Sequence, residues 1–208
     1  MIGIVDYGLC NLLSVASAVR HLGHEAVLSN KAEVLARASK LILPGVGAFG
    51  DAMRNLDTLG LIPMLRRHAL QEGKDILGIC LGFQLLCESS DEFGQHAGLG
   101  FLKARVERFD AQKLGLRIPH MGWNGVRQTG ASPMFHGIPD GSVFYFVHSH
   151  RVLRPEEAGL CAGFCEYGEE FCAAMVKGNI WGTQFHPEKS QLHGLRLLGN
   201  FLGKVQAQ

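Results

Sequence analysis

The chain has 208 residues, 47% of them hydrophobic and 19% charged, and its formal net charge is +1. This composition is that of a globular protein of one or two domains, and the balanced charge argues against partners such as nucleic acid or an anionic membrane. The N-terminus has no basic segment, and no stretch reaches the roughly 18 apolar residues of a membrane span. We therefore expect no signal peptide and no transmembrane helix.

The first half of the chain predicts strands that alternate with helices. The predicted strands are Ile2–Asp6, Glu25–Leu28, Leu41–Leu43 and Asp75–Ile79. The predicted helices are one capped by Asn11 and running to Leu22, one at Ala32–Ala38, one after Gly50 that breaks near Gly60 and Pro63 and resumes through Leu65–Gln71, and one at Leu81–Glu88. This alternation indicates a parallel sheet covered by helices on both faces.

The second half is richer in strands. Extended segments are predicted at Phe101–Phe109, Val143–Val147, Cys172–Val176 and Ile180–Gln184, and a last helix at about Gln191 to Val205. Neither a repeat nor a linker-like tract interrupts the sequence. We expect a single α/β domain over residues 1–208, with a mixed sheet in its C-terminal half.

Six cysteines are spread along the chain without a C-x-x-C pair. This spacing argues against a zinc site and against a disulfide framework. We therefore expect reduced thiols in a cytoplasmic protein, with neither a metal nor a cofactor. One of the thiols is then available as a nucleophile.

The segment Gly78–Gln84 places a cysteine between two glycines where a strand gives way to a helix. Cys80 has Gly78 two residues before it and Gly82 two residues after it. This is the nucleophile turn of G-x-S-x-G hydrolases with Cys in place of Ser, and the turn is too sharp for side chains at either glycine. The helix N-terminus favours the thiolate, and the Leu81 amide can stabilise an oxyanion. A buried structural thiol on an ordinary turn is the alternative.

A base for this cysteine is predicted at His186. His186 would lie at the carboxyl end of a strand, where ligands bind in parallel sheets. Glu188, two residues later on the same side of an extended chain, would orient the imidazole. A half-exposed loop histidine and a helix-terminal glutamate are the alternatives. The loop Pro44–Gly47 can supply a second oxyanion amide, or be a plain connector.

These residues resemble the signature of class I (triad) glutamine amidotransferases. Within that family, the chain is similar over nearly its whole length to the glutaminase subunits of imidazole glycerol phosphate synthase. The segments that carry the resemblance are Asp6–Gly8, Asn11–Val15, Leu43–Phe49, Gly78–Gln84, Met121–Asn124, Tyr145–Ser149 and Gln184–Ser190.

The resemblance implies a flavodoxin-like, three-layer α/β/α fold with a mixed, mostly parallel sheet. It implies a glutaminase with Cys80 as nucleophile, His186 as base and then acid, and Glu188 as the orienting carboxylate. The remaining residues that it assigns are Val46 and Leu81 for the oxyanion; Gly47, Gln84 and Ser149 for glutamine; and Asn11, Trp123, Tyr145 and Lys189 for the partner interface or ammonia exit.

The resemblance also implies a partner, a TIM-barrel cyclase of the HisF type bound in a heterodimer. Ammonia from L-glutamine would pass to this cyclase, which makes imidazole glycerol phosphate and an aminoimidazole carboxamide ribotide in histidine biosynthesis. We expect partner and acceptor binding to rearrange the loop Gly45–Gly47 and to raise a low basal turnover.

Two positions depart from the family pattern. Cys10 stands where Gly is usual, and a left-handed backbone there would be costly for Cys. His150 stands where Tyr is more usual. Three alternatives stay open: a paralogue that feeds ammonia to a surface-sugar amidotransferase, a hydrolase of other amides such as peptides, and an inert flavodoxin-like interaction subunit.

Overall fold

A computed structural model describes residues 1–155 and 159–203 of the chain. The strands are β1 (Ile2–Val5), β2 (Ala26–Ser29), β3 (Lys40–Gly45), β4 (Ile76–Cys80), β5 (Ser89–Ser90), β6 (His96–Ala97), β7 (Arg105–Arg108), β8 (His120–Gly125), β9 (Arg127–Gln128), β10 (Val143–His148), β11 (His150–Val152), β12 (Cys161–Tyr167), β13 (Glu169–Lys177) and β14 (Ile180–Thr183). The helices are α1 (Leu12–His21), α2 (Ala32–Leu35), α3 (Phe49–Thr58), α4 (Leu61–Arg66), α5 (Leu81–Leu86), α6 (Ala111–Leu114) and α7 (Gln191–Leu202). A π-helical turn (Arg67–Gln71) and two 3-10 turns (Pro133–Phe135 and Pro187–Lys189) complete the set.

The main sheet has a parallel part and an antiparallel part. The parallel strands stand in the order β2-β1-β3-β4-β14, and β13 then continues the sheet antiparallel to β14. This is a doubly wound order whose direction reverses between β1 and β3, and ligands bind at the carboxyl ends of strands beside such a reversal. Strands β8 and β10 form a separate antiparallel pair.

Side chains of the central strands alternate between two hydrophobic cores. On β3, Leu41 and Leu43 pack with α2, α3, α4 and α5, whereas Ile42 packs with α1 and α7 on the opposite face. Both faces of the parallel strands are therefore buried, which explains their uninterrupted apolar sequences. The predicted three-layer α/β class with a mixed sheet is confirmed.

Most predicted elements of the first half are present, with one clear error. The helix after Gly50 breaks only at Gly60, which adopts a positive φ of 65°, and resumes at once as α4 instead of at Leu65. Pro63 lies inside the first turn of α4, where the missing N–H of proline costs nothing. Asn11 occupies the N-cap position of α1, but its side chain does not cap the backbone.

The second half differs more from the prediction. Only Arg105–Arg108 of the predicted segment Phe101–Phe109 is a strand. Helix α6, the short strands β5, β6, β9 and β11, and the longer strands β8 and β12 were not predicted. The last helix ends at Leu202, where Gly203 takes a left-handed conformation; the predicted end at Val205 lies outside the described residues. Within the described residues, no helix has the length and apolar character needed to cross a bilayer.

Candidate active site

Cys80 sits at the corner between β4 and α5. It is the N-cap of α5 and has a φ of +55°, a conformation that non-glycine residues rarely adopt. Its side chain is buried, at 6% exposure, and its sulfur lies 3.9 Å from the Val147 carbonyl oxygen on β10. A strained backbone at the carboxyl end of a central strand is typical of a functional position.

The two flanking glycines are required by close backbone contacts. A Cβ atom at Gly78 would lie 2.7 Å from the Cα of Phe83, on the far side of the turn. A Cβ at Gly82 would lie 1.7 Å from the carbonyl oxygen of Leu43 on β3. Backbone atoms cannot move aside as flexible side chains can, so both positions require glycine. The predicted reason, the sharpness of the turn, applies to Gly78, whereas Gly82 is required by the neighbouring strand β3.

His186 and Glu188 are in direct contact beside this corner. His186 Nδ1 is 2.7 Å from Glu188 Oε1, and both side chains are almost fully buried, at 3% and 1% exposure. Burial by itself disfavours the charged imidazole, but the negative charges of Cys80 and Glu188 raise the pKa of His186 to about 10. The site is therefore arranged to favour an imidazolium beside the Glu188 carboxylate and the Cys80 sulfur.

The local geometry of this pair differs from the prediction. The chain is not extended through Glu188, because Pro187–Lys189 forms a 3-10 turn with proline at its first position. The fixed φ of proline suits the start of such a turn. The Ser190 hydroxyl donates a hydrogen bond of 2.6 Å to the His186 carbonyl and so holds the turn closed.

A cavity of about 300 Å³ opens at Cys80, and six of the twelve predicted site residues line it. Its wall includes Cys80, Val46, Leu81, Gly47, Gln84 and Ser149. These residues come from the ends of β3, β4 and β10 and from the start of α5. The structure thus brings together the residues assigned to the nucleophile, the oxyanion and the substrate.

The Val46 amide is not directed at the cavity in this structure. Its N–H donates a 2.8 Å hydrogen bond to the carbonyl oxygen of Leu9, in the loop after β1. The two loops meet at the point where strand order reverses between β1 and β3. Val46 can serve an oxyanion only after this bond breaks and the peptide turns over. Leu81, the first residue of α5, has an amide without an intrahelical acceptor.

The segment from the end of β3 to the start of α3 also matches the sequence pattern of a dinucleotide-binding motif, G-x-G-x-x-G over residues 45–50. In such motifs the glycines leave room for a pyrophosphate. Here a Cβ at Gly45 would lie 2.0 Å from the Tyr7 hydroxyl, and one at Gly50 would lie 2.7 Å from the His96 ring. Protein side chains occupy the space beside both glycines, so the pattern has a packing role.

Glu92 is a cavity residue that the sequence interpretation missed. Its Oε2 accepts a 2.7 Å hydrogen bond from the Phe49 amide at the start of α3, and its Oε1 is 3.3 Å from His150 Nδ1. Glu92 lies in a loop, in the acidic run that follows β5, and this run was the one signal that the sequence offered. Glu92 thus places a carboxylate in the cavity wall, next to His150.

Cys10 does not carry the backbone cost that was expected for it. It is absent from the non-glycine residues with positive φ, which in the described chain are Cys80, Phe93 and Gln191. Its thiol lies 3.7 Å from the Val5 carbonyl and 3.6 Å from the Pro44 carbonyl, between the ends of β1 and β3.

Three of the four residues assigned to a partner interface lie together. Trp123 is 48% exposed and meets Tyr145 edge to face, with ring centroids 5.9 Å apart, and Lys189 Nζ is 5.8 Å from the centre of the Tyr145 ring. Trp123 is therefore not a core aromatic residue. Asn11 is exposed at the start of α1, which packs against the turn that carries Lys189.

Two buried histidines brace the strands behind the cavity. His120 Nδ1 is 3.0 Å from His148 Nε2, and His148 Nδ1 is 2.8 Å from the His150 carbonyl oxygen. Burial lowers the pKa of His120 to about 4 and that of His148 to about 3. Both rings are therefore neutral at pH 7.

This pair predicts a loss of stability in mild acid. Between pH 7 and 5 each histidine gains a proton in the unfolded chain, where its pKa is about 6.5, but not in the folded protein. Each then lowers the free energy of unfolding by about 2 kcal/mol as the pH falls. In His120→Phe, the difference in unfolding free energy between pH 7 and 5, measured with urea, should shrink by about 2 kcal/mol. The control Leu13→Gln changes an exposed position of α1 that carries no ionisable group, and it should leave the difference unchanged. An unchanged difference in His120→Phe would contradict this account.

The profile of the family described as "Glutamine amidotransferase class-I" matches residues 3–205. The chain belongs to the class I glutamine amidotransferase family. The resemblance predicted from the sequence is thus confirmed. The chain is 51% identical to a protein named "Imidazole glycerol phosphate synthase subunit HisH" from Desulfitobacterium hafniense strain DSM 10664 / DCB-2, over 97% of this chain and 93% of that protein. A protein of the same name from Syntrophotalea carbinolica is 47% identical over 97% of this chain and 98% of that protein.

Two solved structures share the fold of this chain. One described as "Crystal structure of glutamine amidotransferase" superposes with a TM-score of 0.75 at 21% identity, covering 97% of both chains. "Structure of PurLQS from Thermotoga maritima" superposes with a TM-score of 0.73 at 21% identity, also covering 97% of both chains. The predicted flavodoxin-like amidotransferase architecture is confirmed.

Proposed function

We propose that this chain hydrolyses L-glutamine to L-glutamate and ammonia, with Cys80 as nucleophile, His186 as base and then acid, and Glu188 as the orienting carboxylate. One observation carries the proposal. A buried His186–Glu188 pair with a strongly raised imidazole pKa lies beside a cysteine that lines a cavity of about 300 Å³. Membership of the class I amidotransferase family supports the same reaction class.

The chemistry follows from these positions. The Cys80 thiolate attacks the side-chain amide carbon, and the carbonyl electrons move onto oxygen beside the Leu81 amide. The imidazolium of His186 gives its proton to the amide nitrogen, the C–N bond breaks and ammonia leaves. Neutral His186 then takes a proton from water, the hydroxide attacks the thioester, and glutamate departs as the C–S bond breaks.

The cavity wall offers polar groups to the amino-acid end of glutamine. Gly47, Gln84 and Ser149 are the residues that we propose to bind it. To these we add Glu92, because its side chain is only 12% exposed and its carboxylate can pair with an α-ammonium group. His150 competes for the same carboxylate when it is protonated.

The second oxyanion donor is the Val46 amide after rearrangement of the loop. Since its N–H is bonded to Leu9 in the resting structure, basal turnover should be low. Removing one oxyanion donor typically costs about 2.7–4 kcal/mol, or 10²- to 10³-fold in kcat. A ligand or partner that breaks the Val46–Leu9 bond would restore that contribution.

We also propose the partner and setting of this activity. The partner is a TIM-barrel cyclase of the HisF type, bound in a heterodimer, and the ammonia serves histidine biosynthesis. The relatives named as subunits of imidazole glycerol phosphate synthase support this proposal, as does the cluster of Trp123, Tyr145 and Lys189. Residues 1–208 would form one amidotransferase domain, and a thiol nucleophile suits the reducing cytoplasm.

Glutaminase kcat measured with and without the cyclase subunit tests this proposal. Cyclase addition should raise kcat, and Lys189→Met should lower the ratio of the two values by about 5-fold while the KM for glutamine changes little. Lys103→Met, at an exposed position before β7, is the matched control and should leave the ratio unchanged. Absence of any glutamate formation would refute the glutaminase, whereas a kcat indifferent to the cyclase would refute only the partner.

A further inference from the structure

The side chain of Gln184 bridges the nucleophile and the glutamine pocket. It is fully buried just after the end of β14. Its Nε2 lies 3.9 Å from the sulfur of Cys80, and its Oε1 lies 3.1 Å from Nε2 of Gln84. Gln84 Nε2 is also 3.0 Å from the carbonyl oxygen of His150. A buried amide needs such partners, but these particular partners are both residues of the proposed site.

The orientation of both amides can be deduced from this chain of contacts. The His150 backbone carbonyl can only accept, so Gln84 must present its NH₂ group to it. The second N–H of that group points to Gln184, which must therefore present its oxygen. The nitrogen of Gln184 is left facing Cys80, and the sulfur of Cys80 receives an N–H.

The far end of the chain is also fixed. The His148 ring donates from Nδ1 to the same His150 carbonyl, so its Nε2 accepts from His120 Nδ1. Since burial keeps both rings neutral at pH 7, this set of donors and acceptors does not change in the working range. The His150 carbonyl is thus held in place, and with it the two glutamine amides.

We propose that Gln184 is a hydrogen-bond donor to the Cys80 sulfur in addition to His186, and that it favours the thiolate of the resting enzyme. The inference rests on the proposed role of Cys80 as nucleophile. The sulfur also pairs with the His186 imidazole, and it lies 3.9 Å from the Val147 carbonyl oxygen, which can accept from a thiol but repels a thiolate. The Gln184 N–H opposes this effect, because a donor stabilises the charged sulfur.

The test is the pH dependence of Cys80 alkylation in the full-length protein. Iodoacetamide would be used without glutamine or partner, and the Cys80 peptide would be followed by mass spectrometry. In Gln184→Met, which keeps the length of the side chain, the pH of half-maximal reactivity should rise by about one unit. Thr183→Val is the matched control, since the buried Thr183 hydroxyl donates to the Phe185 carbonyl instead, and its midpoint should stay unchanged. An unchanged midpoint in folded Gln184→Met would overturn the proposal.

A measurement on the unmodified protein covers the case in which Gln184→Met does not fold. The side-chain amide resonances of Gln184, followed by NMR during a pH titration, should shift with the same midpoint as Cys80 alkylation. Cys80→Ala should remove this shift. A Gln184 resonance that stays constant while Cys80 ionises would refute the donor. Neither measurement uses glutamine, so a failure of the glutaminase proposal would be seen separately, in the turnover assay.

Discussion

Replacement of Cys80 by alanine is expected to lower kcat for glutamine hydrolysis by a factor of about 10⁶, the scale seen when a covalent nucleophile is removed from other hydrolases. Without sulfur there is no thioester, and neither His186 nor the oxyanion amides can provide a substitute path. Glutamate formation by the complex with its cyclase measures the effect, because activation makes a residual rate visible.

The fold should survive this change. Alanine is smaller than cysteine and meets the same positive φ, so the strain at the corner is little altered. A thermal melt close to that of the unmodified protein, with loss of labelling by a diazo-ketone analogue of glutamine, would complete the result. Cys87→Ala, at a fully buried thiol directly after the end of α5, is the control and should retain turnover. Turnover near the wild-type value in Cys80→Ala would eliminate the proposed mechanism.

The nucleophile corner was predictable because its constraints fall on fixed positions of one short segment. Gly78 and Gly82 are fixed by contacts with the backbone of Phe83 and of Leu43, and such contacts leave a mark in the sequence at fixed spacing. The apolar strands of the parallel sheet were also predictable. Successive side chains of each strand face the two hydrophobic cores in turn, so a polar residue at any of these positions would be buried at a cost in stability.

Strands β8 and β12 were missed because they lack a regular pattern. Strand β8 is mostly half-buried or exposed and contains Gly122 at a φ of +132°. Strand β12 has register shifts around Gly163, where a Cβ would lie 2.7 Å from the Val126 side chain. Irregularities of this kind shift the two-residue period on which strand prediction depends.

Parts of the site that depend on contacts between distant loops could not be predicted either. The Val46–Leu9 hydrogen bond joins segments that meet only because β1 and β3 are adjacent in the sheet. Glu92 reaches the cavity from a loop after a two-residue strand, and the acidic run that contains it does not by itself distinguish a binding residue from a solvated one. The residue types in the sequence were enough to predict the chemistry of the triad. The hydrogen bond that Val46 makes in the resting state could be found only from the structure.

Replacement of Glu188 by glutamine should lower kcat by about 10³- to 10⁴-fold with little change in KM for glutamine. In the unmodified protein the carboxylate accepts the Nδ1 proton of His186 at 2.7 Å and leaves Nε2 to exchange protons during the reaction. A glutamine side chain has nearly the same shape, but its NH₂ group can donate to Nδ1 and so stabilise the wrong tautomer. It also removes one of the two negative charges that raise the pKa of His186 to about 10, so the imidazolium that must protonate the leaving amide nitrogen becomes less stable.

The loss should therefore be in the chemical steps and should depend on pH. At a pH below the ordinary pKa of histidine, the imidazolium forms even without Glu188. The rate of the first step, in which ammonia leaves, should therefore recover partly as the pH falls. Hydrolysis of the thioester needs neutral His186 and should not recover. A burst of ammonia followed by slow release of glutamate in acid would show this separation in single-turnover measurements. Glu33→Gln, on the exposed side of α2, is the matched control and should behave as the unmodified protein. A loss smaller than 10-fold in Glu188→Gln would mean that the 2.7 Å contact is structural and that His186 is oriented by something else.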